Sequence, residues 1–507
     1  MAVSPTTKNR LALTAVCLAA MMSGLEISSV PVILPILEKQ IGASFAQLQW
    51  IMNAYTLACT TVLMATGTLA DRFGRKRLFL ISIFGFGVTS LMCGVAQTAS
   101  VMIVGRFLQG LSGGAMLICL IAILSSQFTE GKARSRAFTA WGMVFGFGLG
   151  FGPMIGGIIV TQASWQWVFL VHVFIAMLTW LLARSNVLES RDTEDKKLDV
   201  GGLVTLSLTV LGATFYITQG GQMGYSSLNA LSILGGALLC AIIFVIIERR
   251  HPHPMFDFSV FKNRSFFGAL LGSAGMNFSF WPFMIYLPLY YQSVLGFDII
   301  SAGGYLLAYT LPTLLMPPVA ARLVHRFGAA RIIPAGLFGI GIGFLLMRVG
   351  ISQAFGLLPG ALLAGAALGL TNTPVTHTTT GSLPVSRAGM ASGMDMSARL
   401  ITLAINIAVM GSLLVAGIGH YLRDKLPARL DAAHWQTLAE RIAGGEQLVG
   451  APDTPFVSTA LAREALTAGF SNVLLYGALG VCLLALASHL VFASRSRTPI
   501  CVAPSKL

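Results

Sequence analysis

Long apolar runs, broken by short polar turns, follow one another along almost the whole chain. Each holds about twenty residues or more, the length a helix needs to cross a bilayer core of about 30 Å. They fall at about 11–37, 46–70, 77–96, 100–124, 135–160 and 166–184, then at about 200–218 and 230–248. Six more lie at about 266–294, 301–320, 331–349, 354–376, 394–418 and 467–493. The pattern predicts an all-α integral membrane protein of about fourteen transmembrane helices. The first run is too long for a signal peptide and lacks a small-residue cleavage site, so it reads as a retained span. One connection is long, from Tyr421 to Glu464, and its HWQTLAERIAGG portion reads as an exposed helix with no assigned task, an amphipathic helix lying on the membrane face being the alternative.

Composition agrees: of 507 residues, 55% are hydrophobic and 10% charged. The mean hydropathy of +0.77 is far above that of soluble domains. The net charge of +14 does not imply nucleic acid, because the basic residues crowd into alternate short loops. Lys8 and Arg10 precede the first run, Arg75, Lys76 and Arg77 follow the second, and Lys132, Arg134 and Arg136 follow the fourth. The loops between are nearly uncharged, which predicts cytoplasmic basic loops, cytoplasmic termini and an even number of spans. The seven cysteines are scattered without metal-ligand or redox spacing, and no cofactor is expected. HPHP at 251–254 reads as a solvated loop that ends a helix rather than as a metal site.

An internal repeat organises the runs. GTLADRFGRKRLF follows the second run and AARLVHRFGAARII the tenth, so that Arg72-Phe73-Gly74 matches Arg326-Phe327-Gly328 and Arg77 matches Arg331. A weaker echo pairs FTEGKARSRAF with LPVSRAGMASG. Two six-helix halves, 1–184 and 266–507, flanking a linker with two inserted helices at 185–265, account for both echoes. Such repeats mark secondary transporters, with the substrate site between the halves near the middle of the membrane.

GTLADRFGRKRLF resembles the signature loop of the major facilitator superfamily, RFLQGLSGGAM its fourth-helix motif, and GLGFGPMIGG its antiporter motif. With about fourteen spans, the whole chain is similar to the fourteen-helix drug/proton antiporter branch. That branch carries Leu-Asp-x-Thr in its first helix, where this chain has Leu25-Glu26-Ile27-Ser28. The resemblance implies a conformational latch at Gly67, Asp71, Arg72, Gly74 and Arg75. It also implies an antiporter motif at Gly148, Gly152, Pro153, Gly156 and Gly157.

The residues themselves support those roles. Asp71 can accept hydrogen bonds from a neighbouring helix end, while Arg72 and Arg75 can pin the contact. Closely spaced glycines let helices pack backbone to backbone, and Pro153 removes one helical hydrogen bond. Glu26 stands deep in the first run, about 22 Å from its inner start, and Arg106 stands about 9 Å from the outer start of the fourth. The two therefore share a depth, and ionisable groups inside a membrane are functional candidates. Glu26 is nearly alone as a membrane carboxylate, with Asp298 in an outer loop and Asp395 near the inner start of the thirteenth run. That suggests one proton competing with a monocationic or neutral lipophilic substrate. Asn53, Tyr55, Asn277, Trp281, Tyr286, Asn372 and His377 complete the candidate binding set, through amide hydrogen bonds and aromatic faces.

The expected activity is export of a small amphipathic or cationic compound from the cytoplasm across a bacterial inner membrane, driven by the proton gradient. Substrate displaces the proton from Glu26, the halves rock outward, and a returning proton displaces substrate. The expected partners are substrate, protons and lipid, with the protein acting as a monomer. A dedicated exporter of an endogenous metabolite or siderophore is the alternative, with Arg106 and Arg399 facing an anionic substrate. A membrane-embedded enzyme or sensor finds no HExxH, nucleotide loop or ligand cluster to support it.

Overall fold

The computed structural model describes residues 5–128, 131–190, 199–251, 258–278, 280–353, 355–383, 388–426, 432–444 and 457–493. Within these segments a few side chains, those of Asp71, Arg72 and Trp281 among them, lie outside the described residues, as does Gly67. The described chain is helical throughout. The first six helices are α1 (Pro5–Ile41), α2 (Phe45–Phe73), α3 (Arg75–Gly94), α4 (Ala99–Gln127), α5 (Gly131–Gln162) and α6 (Trp167–Asn186). A hairpin follows, α7 (Val200–Met223) and α8 (Leu228–Arg250). Then come α9 (Arg264–Met276), α10 (Phe280–Ser293), α11 (Ile299–Leu315), α12 (Pro317–Phe327), α13 (Ala329–Val349) and α14 (Leu358–Gly381). The last three are α15 (Ala388–Lys425), α16 (Ala432–Gly444) and α17 (Thr459–Ala493).

Eleven of the described helices are long and apolar enough to cross a membrane, and twelve if α11 and α12, which meet at 45°, form one span. This is an all-α polytopic membrane fold. Two predicted spans are broken, each at a proline. The run 266–294 divides into α9 and α10, because Pro282 lacks an N–H and its ring crowds the carbonyl four residues back. Pro317 and Pro318 divide α11 from α12 in the same way. Elsewhere polar caps set the helix starts. Ser44 and Gln47 form a reciprocal capping box on α2, and Thr98, Ser227, Asn263 and Asp298 cap α4, α8, α9 and α11. The hydrogen bond between Ser301 and the Asp298 carboxyl holds that carboxyl below the usual carboxylate range.

Helix α1 packs on α5 and α6, α2 on α4, and α3 on α4 and α6. Beyond the hairpin, α13 packs on α14 and α17, α15 on α17, α11 on α14, and α9 on α17 and α14. Three seams join these groups: α5 with α11, α2 with α15, and α1 with α10. Helix α7 leans on both α2 and α15. Below, the basic end of the stack is the one where α1, α3, α13 and α15 begin, and the far end is its opposite.

The short helix α16 is neither the exposed helix expected nor its alternative, a helix lying on the membrane face. Its apolar positions Trp435, Leu438, Ala439, Ile442 and Ala443 are all buried, packed at the far end on α15, with α2, α7 and α17 around them. The amphipathic stripe is satisfied by helix ends rather than by lipid.

Close backbone contact fixes the two seams of α5. A Cβ on Gly148 would stand 2.9 Å from the Met21 carbonyl oxygen, and one on Gly24 would stand 2.7 Å from that of Phe145. Ser28 Oγ fills the space that Gly152 leaves open and lies 3.0 Å from the Gly148 carbonyl oxygen. On the other side Thr310 Oγ1 donates to the Gly150 carbonyl at 2.8 Å, and Gly303 lies against Pro153. Toward the basic end this seam stops: a methyl group on Gly142 would meet nothing within 4 Å. Gly148→Ala should therefore destabilise the protein by about 1–3 kcal/mol, because neither backbone can yield. Gly142→Ala should be neutral or slightly stabilising. Thermal unfolding in detergent checks the pair, and equal midpoints for the two variants would contradict the packing account.

Candidate functional site

Four helices bring one polar cluster together inside the apolar stack. Glu26 comes from α1, Tyr55 from α2, Arg106 and Gln109 from α4, and His172 from α6. Position on α1 is set by the Gly24–Gly148 contact, which draws α1 against α5 and turns Glu26 toward α4 and α6. Glu26 and Arg106 are both fully buried, and Glu26 Oε1 touches Arg106 Nη1. The depth match read from the sequence is thus a direct ion pair.

Further partners hold the guanidinium. Arg106 Nη1 donates to Gln109 Oε1 at 2.7 Å, and Nε donates to the Ile51 carbonyl at 3.2 Å. Its central carbon lies 4.4 Å from the centre of the Tyr55 ring, a cation–π distance. Gln109 is fixed in turn by donating to Ser90 Oγ at 2.9 Å. His172 Nδ1 lies 3.0 Å from the Val168 carbonyl oxygen and 3.5 Å from Glu26 Oε2. Both neighbours are acceptors, so Nδ1 carries the proton.

The cluster is not fully satisfied. Arg106 Nη2, His172 Nε2 and both amide atoms of Asn53 are buried without a hydrogen-bond partner among the described residues. Glu26 Oε2 has only the long approach of His172. Buried polar atoms in folded proteins are nearly always paired with protein or with water, so such a concentration singles out a polar centre inside the apolar stack.

The remaining candidate binding residues lie elsewhere. Tyr286 donates to the Ile407 carbonyl and accepts from Gln49 Nε2 at 3.2 Å, tying α2, α10 and α15 together near the far end. Asn277 closes α9 and donates to the Ser273 carbonyl at 3.0 Å. Asn372 and His377 are exposed on the basic-end part of α14, and Asn372 accepts from Arg399 Nη1 at 2.7 Å. Trp281 lies outside the described side chains.

The signature loop is partly described. Gly74 has φ +106°, ends α2 and begins α3. The Glu189 carboxylate sits against it and accepts from the Lys76 and Arg77 N–H groups at 3.0 and 3.2 Å, while Arg75 N–H donates to the Ser190 carbonyl. An anion there complements the exposed N–H groups and dipole of α3. This part of the loop docks on the segment after α6. The latch roles expected of Gly67 and of the Asp71 and Arg72 side chains fall outside the described residues.

Sequence reasoning missed His172, although a lone histidine in WVFLVHVFIAM was a visible signal. It also passed over a second ion pair: buried Asp395 accepts from the part-exposed Arg399 Nε at 3.2 Å, so Glu26 is not the only buried acid in a long helix. Asp199 and Glu248 are buried too, where α7 begins and α8 ends. Among the described residues no group of three His, Cys, Asp or Glu side chains could hold a metal ion.

Comparisons with known proteins agree with this architecture. A family model described as Major Facilitator Superfamily matches residues 16–407. The chain is 30% identical to the Multidrug resistance protein Stp of Mycobacterium tuberculosis (strain CDC 1551 / Oshkosh), over 85% of this chain and 81% of that one. It is 29% identical to the Tetracenomycin C resistance and export protein of Streptomyces glaucescens, over 82% of this chain and 77% of that one. Among solved structures it resembles a bacterial homolog to the human lysosomal transporter Spinster. The TM-score is 0.65 at 15% identity, covering 96% of this chain and 97% of that one.

The ion pair makes a stability prediction. Glu26→Gln strands the Arg106 charge and should cost about 3 kcal/mol, whereas Glu26→Gln with Arg106→Gln should recover most of that loss. Thermal unfolding of wild type, both single variants and the double variant closes the cycle. Additive losses would show that the two side chains do not depend on each other.

Proposed function

The chain belongs to the Major Facilitator Superfamily, and from that premise we propose that it is a proton-coupled exporter of small amphipathic or cationic compounds. It is a secondary transporter of small molecules, and the gradient, direction and substrate class are the proposed parts. One observation carries the proposal: a carboxylate and a guanidinium, wholly buried and in contact, with unsatisfied polar atoms around them.

A fixed pair of this kind rarely gains stability over apolar residues, so a working role is the better account of its presence. Arg106 supplies the opposite charge that ionised Glu26 needs in apolar surroundings. Protonation of Glu26 removes that attraction and leaves a buried cation seeking water or another acceptor. The protonation state is thereby tied to how the surrounding helices pack. Names of relatives that confer drug resistance or export a compound support the outward direction.

The proposed architecture has fourteen spans, adding α2 and the α9–α10 pair to the twelve counted above. Residues 1–184 and 266–507 form the two six-helix halves, and 185–265 carry the inserted hairpin. The basic end faces the cytoplasm of a bacterial inner membrane, and both termini lie there. Alternating access then runs about the α5–α11, α2–α15 and α1–α10 seams. The seams hold at the far end, where Gln49 bridges to Tyr286 and to Ile407, and Gln292 donates to the Val32 carbonyl. At the basic end Asn372 and His377 are exposed, which fits an inward-facing state.

Reconstituted protein tests the proposal. With a pH gradient imposed across proteoliposomes, wild type should drive uphill movement of ethidium, and Glu26→Asp should retain part of it. Glu26→Gln, monodisperse and still binding ethidium, should lose uphill movement at least tenfold. Uphill movement by Glu26→Gln at the wild-type rate would overturn the coupling role.

A further inference from the structure

The second half carries a charged constellation of its own. Asp395 on α15 is buried, accepts from Ser273 Oγ of α9, and accepts from Arg399 Nε one turn along α15. Arg399 then reaches α14, where Nη1 donates to Asn372 Oδ1 at 2.7 Å and Nη2 donates to Thr376 Oγ1 at 2.9 Å. Three helices thus orient one guanidinium. One turn from Ser273, the Asn277 Oδ1 atom is buried without a partner among the described residues.

This arginine differs from Arg106 in access. Arg106 is sealed, whereas the Arg399 side chain is 15% exposed and its partners Asn372 and Thr376 are exposed. Its depth is about 17 Å from the start of α15, and Asn372 stands at a similar depth, about 14 Å from the end of α14. The neighbouring side chains show which way this wall faces. Leu400, next along α15, packs against the core formed by α1 to α6 as well as its own, and Ile401 packs against the small cluster of Leu57, Val210 and Ala404 from α2, α7 and α15. This stretch of α15 therefore borders the first half, and Arg399 stands on it between α15 and α14.

A guanidinium has five N–H donors, and three are engaged by partners among the described residues. The remaining two, one on each Nη, are left to donate to a further acceptor, and a guanidinium favours charged oxygens. We infer that Arg399, set by Asp395, Asn372 and Thr376, is a substrate-anchoring residue that takes a carboxylate or similar oxyanion of the transported compound at the basic end. The inference rests on the export reading above and deepens it: among amphipathic compounds the protein prefers those that carry an oxyanion over bare lipophilic cations such as ethidium. The second half supplies the anchor, and the first half holds the buried proton-exchanging pair.

Rhodamine B and its ethyl ester share one xanthene core and differ in whether the carboxylate is free, so they isolate the claimed contact. Fluorescence anisotropy of the purified full chain in detergent gives both affinities. Wild type should bind the free acid at least tenfold more tightly than the ester. Arg399→Gln should lose that preference while binding the ester within twofold of wild type, and Arg399→Lys should keep part of it. Because Arg399→Gln leaves Asp395 buried without its counter-charge, Asp395→Asn/Arg399→Gln serves as a second variant and should show the same loss of preference. Gly142→Ala should keep the wild-type preference, and because the dye affinities are read without a gradient, a failure of proton coupling is read separately from a failure of anchoring. No preference in wild type, no binding of either dye, or an equal loss for both dyes in the Arg399 variants would overturn the inference.

Discussion

The contact between Glu26 and Arg106 is the constraint around which the first six helices are arranged. Neither charge is tolerable alone in an apolar interior, where an isolated ion costs several kcal/mol even after local relaxation. Together they demand that α1 and α4 meet at one depth, and α6 must bring His172 to the same place. The close approach of α1 to α5 through Gly24 and Gly148 follows from the same requirement, because it fixes the height and rotation of Glu26. A side chain at either glycine would push α1 outward and pull the pair apart.

The α5 helix then links this pair to motion between the halves. One of its faces is locked against α1, and the other lies along α11 from Ile299 to Leu314. A change in how α1 sits is therefore felt directly at a seam between halves, with no long chain of intermediates required. At the far end, α16 covers the α2–α15 seam from above, so opening there has to separate α16 from α2 or carry it away with α15. The polar work is divided by depth: the sealed pair belongs to α1 and α4, and the accessible guanidinium belongs to α15.

Much of this was legible in the sequence, for identifiable reasons. Run length shows the long helices because backbone groups in lipid must be satisfied within a helix. Glu26 and Arg106 stood out because charge inside an apolar run is costly, and simple helix geometry placed them at equal depth. Other features depend on three-dimensional neighbours. The breaks before Phe280 and at Met316 were hidden because proline is tolerated in many membrane helices and bends them to differing degrees. The burial of α16 was missed because an amphipathic stripe looks alike whether it meets lipid or the ends of α2 and α15. Asp395 and Arg399 were read separately, although their spacing of four residues places them on one helix face. His172 was lost among apolar neighbours, where only the approach of α1 reveals its purpose.

The central claim is that substrate and proton compete through Glu26, and linked proton release tests it most directly. Substrate would be added to purified protein in weakly buffered detergent across a range of pH, with wild type and Glu26→Gln side by side. The account predicts that wild type releases a fraction of a proton per bound substrate, with affinity rising as pH rises. Glu26→Gln should bind with pH-independent affinity and release none. Equal release from both proteins would place the exchanging proton elsewhere and leave the Glu26–Arg106 pair a fixed structural contact.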